Sequence, residues 1–140
     1  MSTPVSVRFP DEIAQRLRRH SARAAEATSG LIVRLVDEGM RMAEHPGIVF
    51  RGGPSGRRAG LVAGPDVWEV IGVLKDFAAH RADTAHRRTA QSLGISASQV
   101  RVAESYYAAF NAEIDARLLL NADAARRGQQ SKVVSGPLPR

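Results

Sequence analysis

The sequence predicts a mainly α-helical chain in two parts, with one unpartnered strand at its start and a short β-hairpin between helices. Three observations carry that expectation. Residues 3–9 alternate in polarity, with Val5, Val7 and Phe9 on one face and Ser6 and Arg8 on the other, the period of a half-buried strand. From residue 11 to about 45, and again from about 65, apolar residues recur at helical spacing. Between those stretches, "GIVFRGGPSGRRAGLVAG" places two short β-prone runs around a Gly-Pro turn.

Length and composition bound the function. A chain of 140 residues holds one ordinary domain or two very small ones. With 44% hydrophobic and 24% charged residues, it has the balance of a globular protein, not of a disordered one. It has no cysteine, which excludes a disulfide framework, a thiolate metal site and a cysteine nucleophile. No apolar run approaches the ~20 residues of a membrane span, and the polar start is not a signal peptide. No membrane association and a cytoplasmic location are therefore expected. The formal net charge is +6, and every basic residue except Lys75 and Lys132 is arginine. Guanidinium forks suit phosphates and guanine edges, so nucleic acid is a natural partner. A GC-rich genome also loads proteins with arginine, so position has to decide.

The elements follow in order. Pro10 opens the first helix where a missing N–H costs nothing, and Asp11 and Glu12 suit its positive end. Ile13, Leu17 and Ala24, beside Ala14 and Ser21, give it a modest apolar stripe. A second helix starts near "TSG", where Thr28 or Ser29 can cap it, and runs through "LIVRLVDEGMRMAE" to a stop at Pro46 and Gly47. Leu31, Ile32, Leu35, Val36, Met40 and Met42 make its apolar face. A hairpin is expected from about Ile48 to Val62. Helices are then expected in "PDVWEVIGVLKDFAAH", "TAHRRTAQSLG", "SASQVRVAESYYAAF" and "NAEIDARLLLNADAARR", the last ending at Gly128. Residues 128–140 read as a flexible tail.

The first 45 residues thus read strand, helix, helix, and that unit is too short to bury a core alone. A single strand also leaves a row of backbone donors and acceptors unpaired. Both defects vanish if two chains meet. The strands then pair antiparallel across chains, and Val5, Val7 and Phe9 join Leu31 and Leu35 in a shared core. The lone strand is for its own copy in a homodimer or higher assembly.

This unit, "PVSVRFPDEIAQRLRRHSARAAEATSGLIVRLVDEG", resembles the ribbon-helix-helix DNA-binding family of the Arc, MetJ and CopG type in strand length, in the acidic helix start after proline and in its second helix. The resemblance covers about the first third of the chain. It implies an intermolecular two-stranded sheet lying in the major groove of operator DNA, with alternate side chains reading bases. Carried over by position, the readers are Ser6 and Arg8, with Thr3 near the phosphate edge; Pro4 stands where the family usually has a polar residue. A solvated strand face is the alternative for Arg8. The N–H groups of Thr28, Ser29 and Gly30 at the second helix start are a candidate phosphate site.

Further along, "HRRTAQSLGISASQVRVAESY" has the offsets of a helix-turn-helix in Ala90, Gly94 and Val100, and Ser96 with Gln99 forms an S-x-x-Q capping box. A tight helical hairpin has the same signature, and the outward set Ser98, Gln99 and Arg101 carries one positive charge. The whole second part, about residues 47–127, resembles a small helix-turn-helix domain of bacterial antitoxins, through "GRRAGLVAGPDVWEVIGVL" and "LGISASQVRVAESYYAAFNAEIDARL". That resemblance, to VapB-like antitoxins, implies a partner: a PIN-like ribonuclease toxin, whose clustered carboxylates hold metal. Ile114, Leu118 and Leu119, leading to Arg126 and Arg127, are the candidate toxin-binding residues; a solvated helix end is the alternative.

No constellation reads as catalytic. His20, His45, His80 and His86 have no ligand spacing, so no metal and no cofactor are expected. "RGGPSGRRAG" lacks the G-K-[ST] of a phosphate-binding loop. Glu113 and Asp115 lie two apart on a helix and read as solvated, while Trp68, Tyr106, Tyr107 and Phe110 read as core. The expected function is a DNA-binding antitoxin that represses its own operon, not an enzyme. The alternative is a stand-alone dimeric regulator whose second domain oligomerises or senses a ligand.

Overall fold

The computed structural model describes residues 1–134. The chain is mainly helical, with six helices and one two-stranded antiparallel sheet among the described residues. It divides into two compact units, Met1–Ala43 and the remainder from Glu44.

In the first unit, residues 1–10 carry no regular secondary structure within the chain, and two helices follow, α1 (Asp11–Ala24) and α2 (Thr28–Glu44). Pro10 sits just outside α1, in extended conformation (φ −54°, ψ 148°), and its carbonyl accepts the Ala14 N–H at 3.0 Å. It therefore precedes the first helical residue instead of being it. The helix ends where Ala25 turns left-handed (φ 50°), which costs an alanine roughly 1–2 kcal/mol. The turn is held by the Glu26 N–H on the Ser21 carbonyl at 3.2 Å and by the Ser21 hydroxyl donating to the Glu26 carbonyl. Thr28 and Ser29 both fall inside α2, whose first bond runs from the Leu31 N–H to the Ala27 carbonyl. The expected hydroxyl cap is thus replaced, and Thr28 donates to Ser21 instead, at 3.2 Å. The Glu26 carboxylate clamps the turn to α2 by accepting from Arg34 at 2.9 Å. That bond above all, then the charges of Glu26 and Glu38, raises the Arg34 pKa further.

The second unit begins with a hairpin of β1 (Ile48–Arg51) and β2 (Arg58–Leu61), with Ile48 opposite Leu61 and Arg51 opposite Arg58. Gly56 closes the loop at φ +95°, a conformation suited to glycine. Four helices follow: α3 (Val67–Asp76), α4 (Ala82–Leu93), α5 (Ala97–Ala109) and α6 (Asn111–Val134). Their shared core holds Leu61, Val67, Val70, Ile71, Val100 and Tyr106, all almost wholly buried. Gly94 ends α4 in the left-handed conformation, and the Ser96–Gln99 capping box opens α5 as the sequence predicts.

Asp66 ties the hairpin to the helices. It is buried, and its carboxylate accepts from Arg51 at 3.0 Å and from Arg58 at 2.7 Å, residues directly opposite each other on the two strands. Its backbone N–H meets the Glu69 carboxylate at 3.2 Å, across the first turn of α3. Arg51 also donates to the Leu61 and Gly64 carbonyls, and it lies where a side chain at residue 60 would go: a Cβ on Gly60 would meet its Nη2 at 2.0 Å. On the far side of the unit, Lys75 on α3 and Tyr107 on α5 both donate to Asp115 on α6, at 2.9 and 2.8 Å. The Lys75 bond, then the Tyr107 bond, holds the Asp115 carboxyl below the usual carboxylate range. Its contribution is therefore present above that range and lost as pH falls. Lys75 is raised mainly by the same bond, so its contribution is present below the usual lysine range and lost as pH rises through the higher folded value.

Three expectations need correction. The last helix does not end at Gly128: it continues to Val134, because Gly128 keeps a helical backbone and its neighbours are good helix formers. The segment expected as a tail is thus helical as far as residue 134, and residues 135–140 lie outside the described residues. Glu113 and Asp115 do face different ways, but neither is simply solvated, since Tyr106 donates to the first and Tyr107 to the second.

Asp66→Ala is expected to lower unfolding stability by roughly 2–3 kcal/mol, less than a fully buried ion pair because both arginines are partly exposed. Gly60→Val, which displaces Arg51, is expected to lose a comparable amount in urea denaturation. A loss below about 0.5 kcal/mol for both variants, the range of ordinary surface changes, would show that Asp66 does not tie the hairpin down.

Candidate nucleic-acid interface

The first unit leaves its apolar side chains uncovered. Val5 is 81% exposed, Val7 66% and Phe9 39%, while α1 buries no residue at all. On α2, Leu31 is buried, but Leu35, Val36 and Met40 are exposed. Thr3, Ser6 and Arg8 are also exposed, with Ser6 and Arg8 on the opposite parity to the valines. Apolar and polar residues thus alternate along the segment, and among the described residues no strand pairs with it.

Thr28, Ser29 and Gly30 are exposed in the first turn of α2. Their N–H groups have no carbonyl four residues back within the helix, which leaves them to water or an anion. The DNA-reading and dimerisation residues named from the sequence thus fall on the N-terminal segment and α2.

The candidate toxin-binding residues are not brought together. Ile114 is buried in the core of the second unit, and Leu118 packs against that core. Only Leu119 of the three is exposed, at 67%, with Leu120 beside it at 59%. The apolar face read as free is mostly used inside the unit, because helical spacing identifies a face without saying what it meets. Arg126 and Arg127 lie on the exposed continuation of α6; Arg126 pairs with Asp123, and Arg127 donates to the Asp123 carbonyl at 3.4 Å.

In the α4–α5 pair, Ala90 and Val100 are buried at the crossing. Ser98 and Arg101 are exposed, whereas the Gln99 side chain is occupied in capping the Ser96 N–H at 2.8 Å. Of the histidines, His45 packs edge-on to Tyr106 and Phe110, and His86 is buried with Nε2 2.8 Å from Glu104. Among the described residues, no three His, Asp or Glu side chains gather as metal ligands. Sequence reasoning missed the Arg51–Asp66–Arg58 cluster; the two arginines facing each other across the predicted hairpin were its one available signal. Comparison with protein-family models, with curated proteins and with solved structures gives no match to this chain.

Proposed function

We propose that the chain is a dimeric DNA-binding repressor of the ribbon-helix-helix kind, acting as the antitoxin of a PIN-like ribonuclease and repressing its own operon. The observation that carries the DNA-binding part is the uncovered alternating segment, with Val5, Val7 and Phe9 exposed in a single chain. Pairing two such segments antiparallel removes both apolar rows from water and satisfies the strand edges. Ser6 and Arg8 of both chains are then left side by side on the outer face. A two-stranded ribbon of that width fits the major groove, where Arg8 donates twice to guanine O6 and N7. The first-turn N–H groups of α2 are offered to flanking phosphates.

The antitoxin part rests on the resemblance of the second unit to antitoxin domains. The surface available to a toxin is the outer side of α6 from Leu119 onward, with Arg126 and Arg127 as cations for the carboxylates that hold the nuclease metal.

Arg8→Ala is expected to weaken binding to the native operator by roughly 1–3 kcal/mol and to relax base choice at the contacted position. The parent protein should also lose affinity steeply with added salt. Operator affinity unchanged in Arg8→Ala, measured by fluorescence anisotropy, would refute the base-reading role. Deleting residues 121–140 is expected to leave the dimer and operator binding intact while restoring cleavage by the ribonuclease. A shortened chain that still silences the nuclease would place the inhibitory contact elsewhere.

A further inference from the structure

Within the second unit, a cleft of about 240 Å³ opens between the hairpin, α3 and the middle of α6. Phe50, Trp68, Ile114 and Leu120 give it apolar walls, and Arg57, Arg58 and Arg117 stand around it against one carboxylate, Glu113. Three of the charged groups are engaged, Arg57 by donating to the Phe50 carbonyl at 3.3 Å. Arg58 bonds Asp66 and the Ser55 hydroxyl, at 2.7 and 3.2 Å, and Glu113 accepts from the Tyr106 hydroxyl.

Arg117 differs from them. It donates to the neutral Ser55 hydroxyl at 2.8 Å and lies over the Trp68 ring, 5.7 Å from its centroid. No carboxylate among the described residues lies within ion-pair distance of it. Trp68 itself is part of the cleft wall, and its Nε1 is buried with no hydrogen-bond partner among the described residues.

We propose that this cleft binds a small organic acid with a single aromatic ring or a branched aliphatic body. The carboxylate meets the Arg117 fork, whose planar donors match it, and the hydrocarbon lies against Phe50, Trp68 and Leu120. Inorganic phosphate meets the charge but makes no use of the apolar walls. A neutral hydrocarbon covers the walls but leaves Arg117 without a counter-charge. The volume lies below the 300–1,000 Å³ of drug-sized pockets, which restricts the body to about one ring. The proposal does not depend on the DNA-binding reading, because every residue in it belongs to the second unit.

Trp68 is the only tryptophan in the chain, so its fluorescence and its indole N–H resonance report on the cleft in the intact protein. Phenylacetate titrated onto the full chain is expected to shift both signals saturably. Phenylacetamide and inorganic phosphate should bind at least about tenfold more weakly, since each lacks one half of the recognition. By calorimetry, Arg117→Gln should weaken phenylacetate at least tenfold without changing the melting temperature, and Arg117→Lys should recover part of the loss. Leu120→Glu, which adds a negative charge to an exposed wall position, should also weaken it. Equal affinity for the acid and its amide would overturn the proposal, and that comparison needs no variant. So would unchanged binding in Arg117→Gln, or no saturable response up to about 10 mM, weaker than any useful recognition.

Discussion

The constraint on the first unit is a segment that alternates valine, valine and phenylalanine against serine and arginine and holds those apolar side chains in water. The first 43 residues contain no strand, and their two helices leave Val5, Val7, Leu35, Val36 and Met40 exposed. Covering such side chains is favourable by about 25 cal/mol per Å² of apolar surface removed from water. In the proposed pairing of two such segments, the apolar row turns inward, and Ser6 and Arg8, on the other parity, would lie outward in pairs. The Glu26–Arg34 clamp and the left-handed Ala25 set the turn into α2, and with it the exposed first turn of that helix.

The second unit has no such deficit. It closes its own core around Tyr106, which is completely buried and ringed by His45, Phe50 and Phe110. Asp66 anchors the hairpin onto that core by sharing its carboxylate between two strand arginines. Ile114 and Leu118 are used inside that core, while Leu119 and Leu120 of α6 stay exposed. The two units thus differ: the first leaves apolar residues exposed, while the second closes its own core and carries a cleft.

Much of this was legible in the sequence, and the misses have definite causes. Helical periodicity located all six helices, and local signals such as Gly94, the Ser96–Gln99 box and the Gly-Pro hairpin turn set several boundaries, because they act over a few residues. The pairing of Arg51 and Arg58 with Asp66 spans 15 and 8 positions and depends on hairpin register, which composition does not encode. Thr28 looked like a cap because its hydroxyl is suited to one, but the Ser21–Glu26 turn claims that hydroxyl first. Gly128 looked like a stop, yet a glycine ends a helix only where the chain turns left-handed, as it does at Gly94 and not there. The Arg117–Trp68 cleft could not be foreseen, since its parts come from the hairpin, α3 and α6.

The proposed pairing of the N-terminal segment with its own copy can be tested directly, because the chain has no cysteine and a single introduced thiol carries one spin label per chain. Antiparallel strands lie about 4.8 Å apart and advance about 3.4 Å per residue. A label at Ser6→Cys, near the middle of the strand, should therefore give a narrow inter-chain distance below about 20 Å. A label at Thr3→Cys should give a distance longer by roughly 20 Å, because its copy lies at the opposite end of the ribbon. Dipolar spectroscopy that finds this short and long pair supports the intermolecular ribbon. No inter-chain coupling at either position, or equal distances at both, would contradict it.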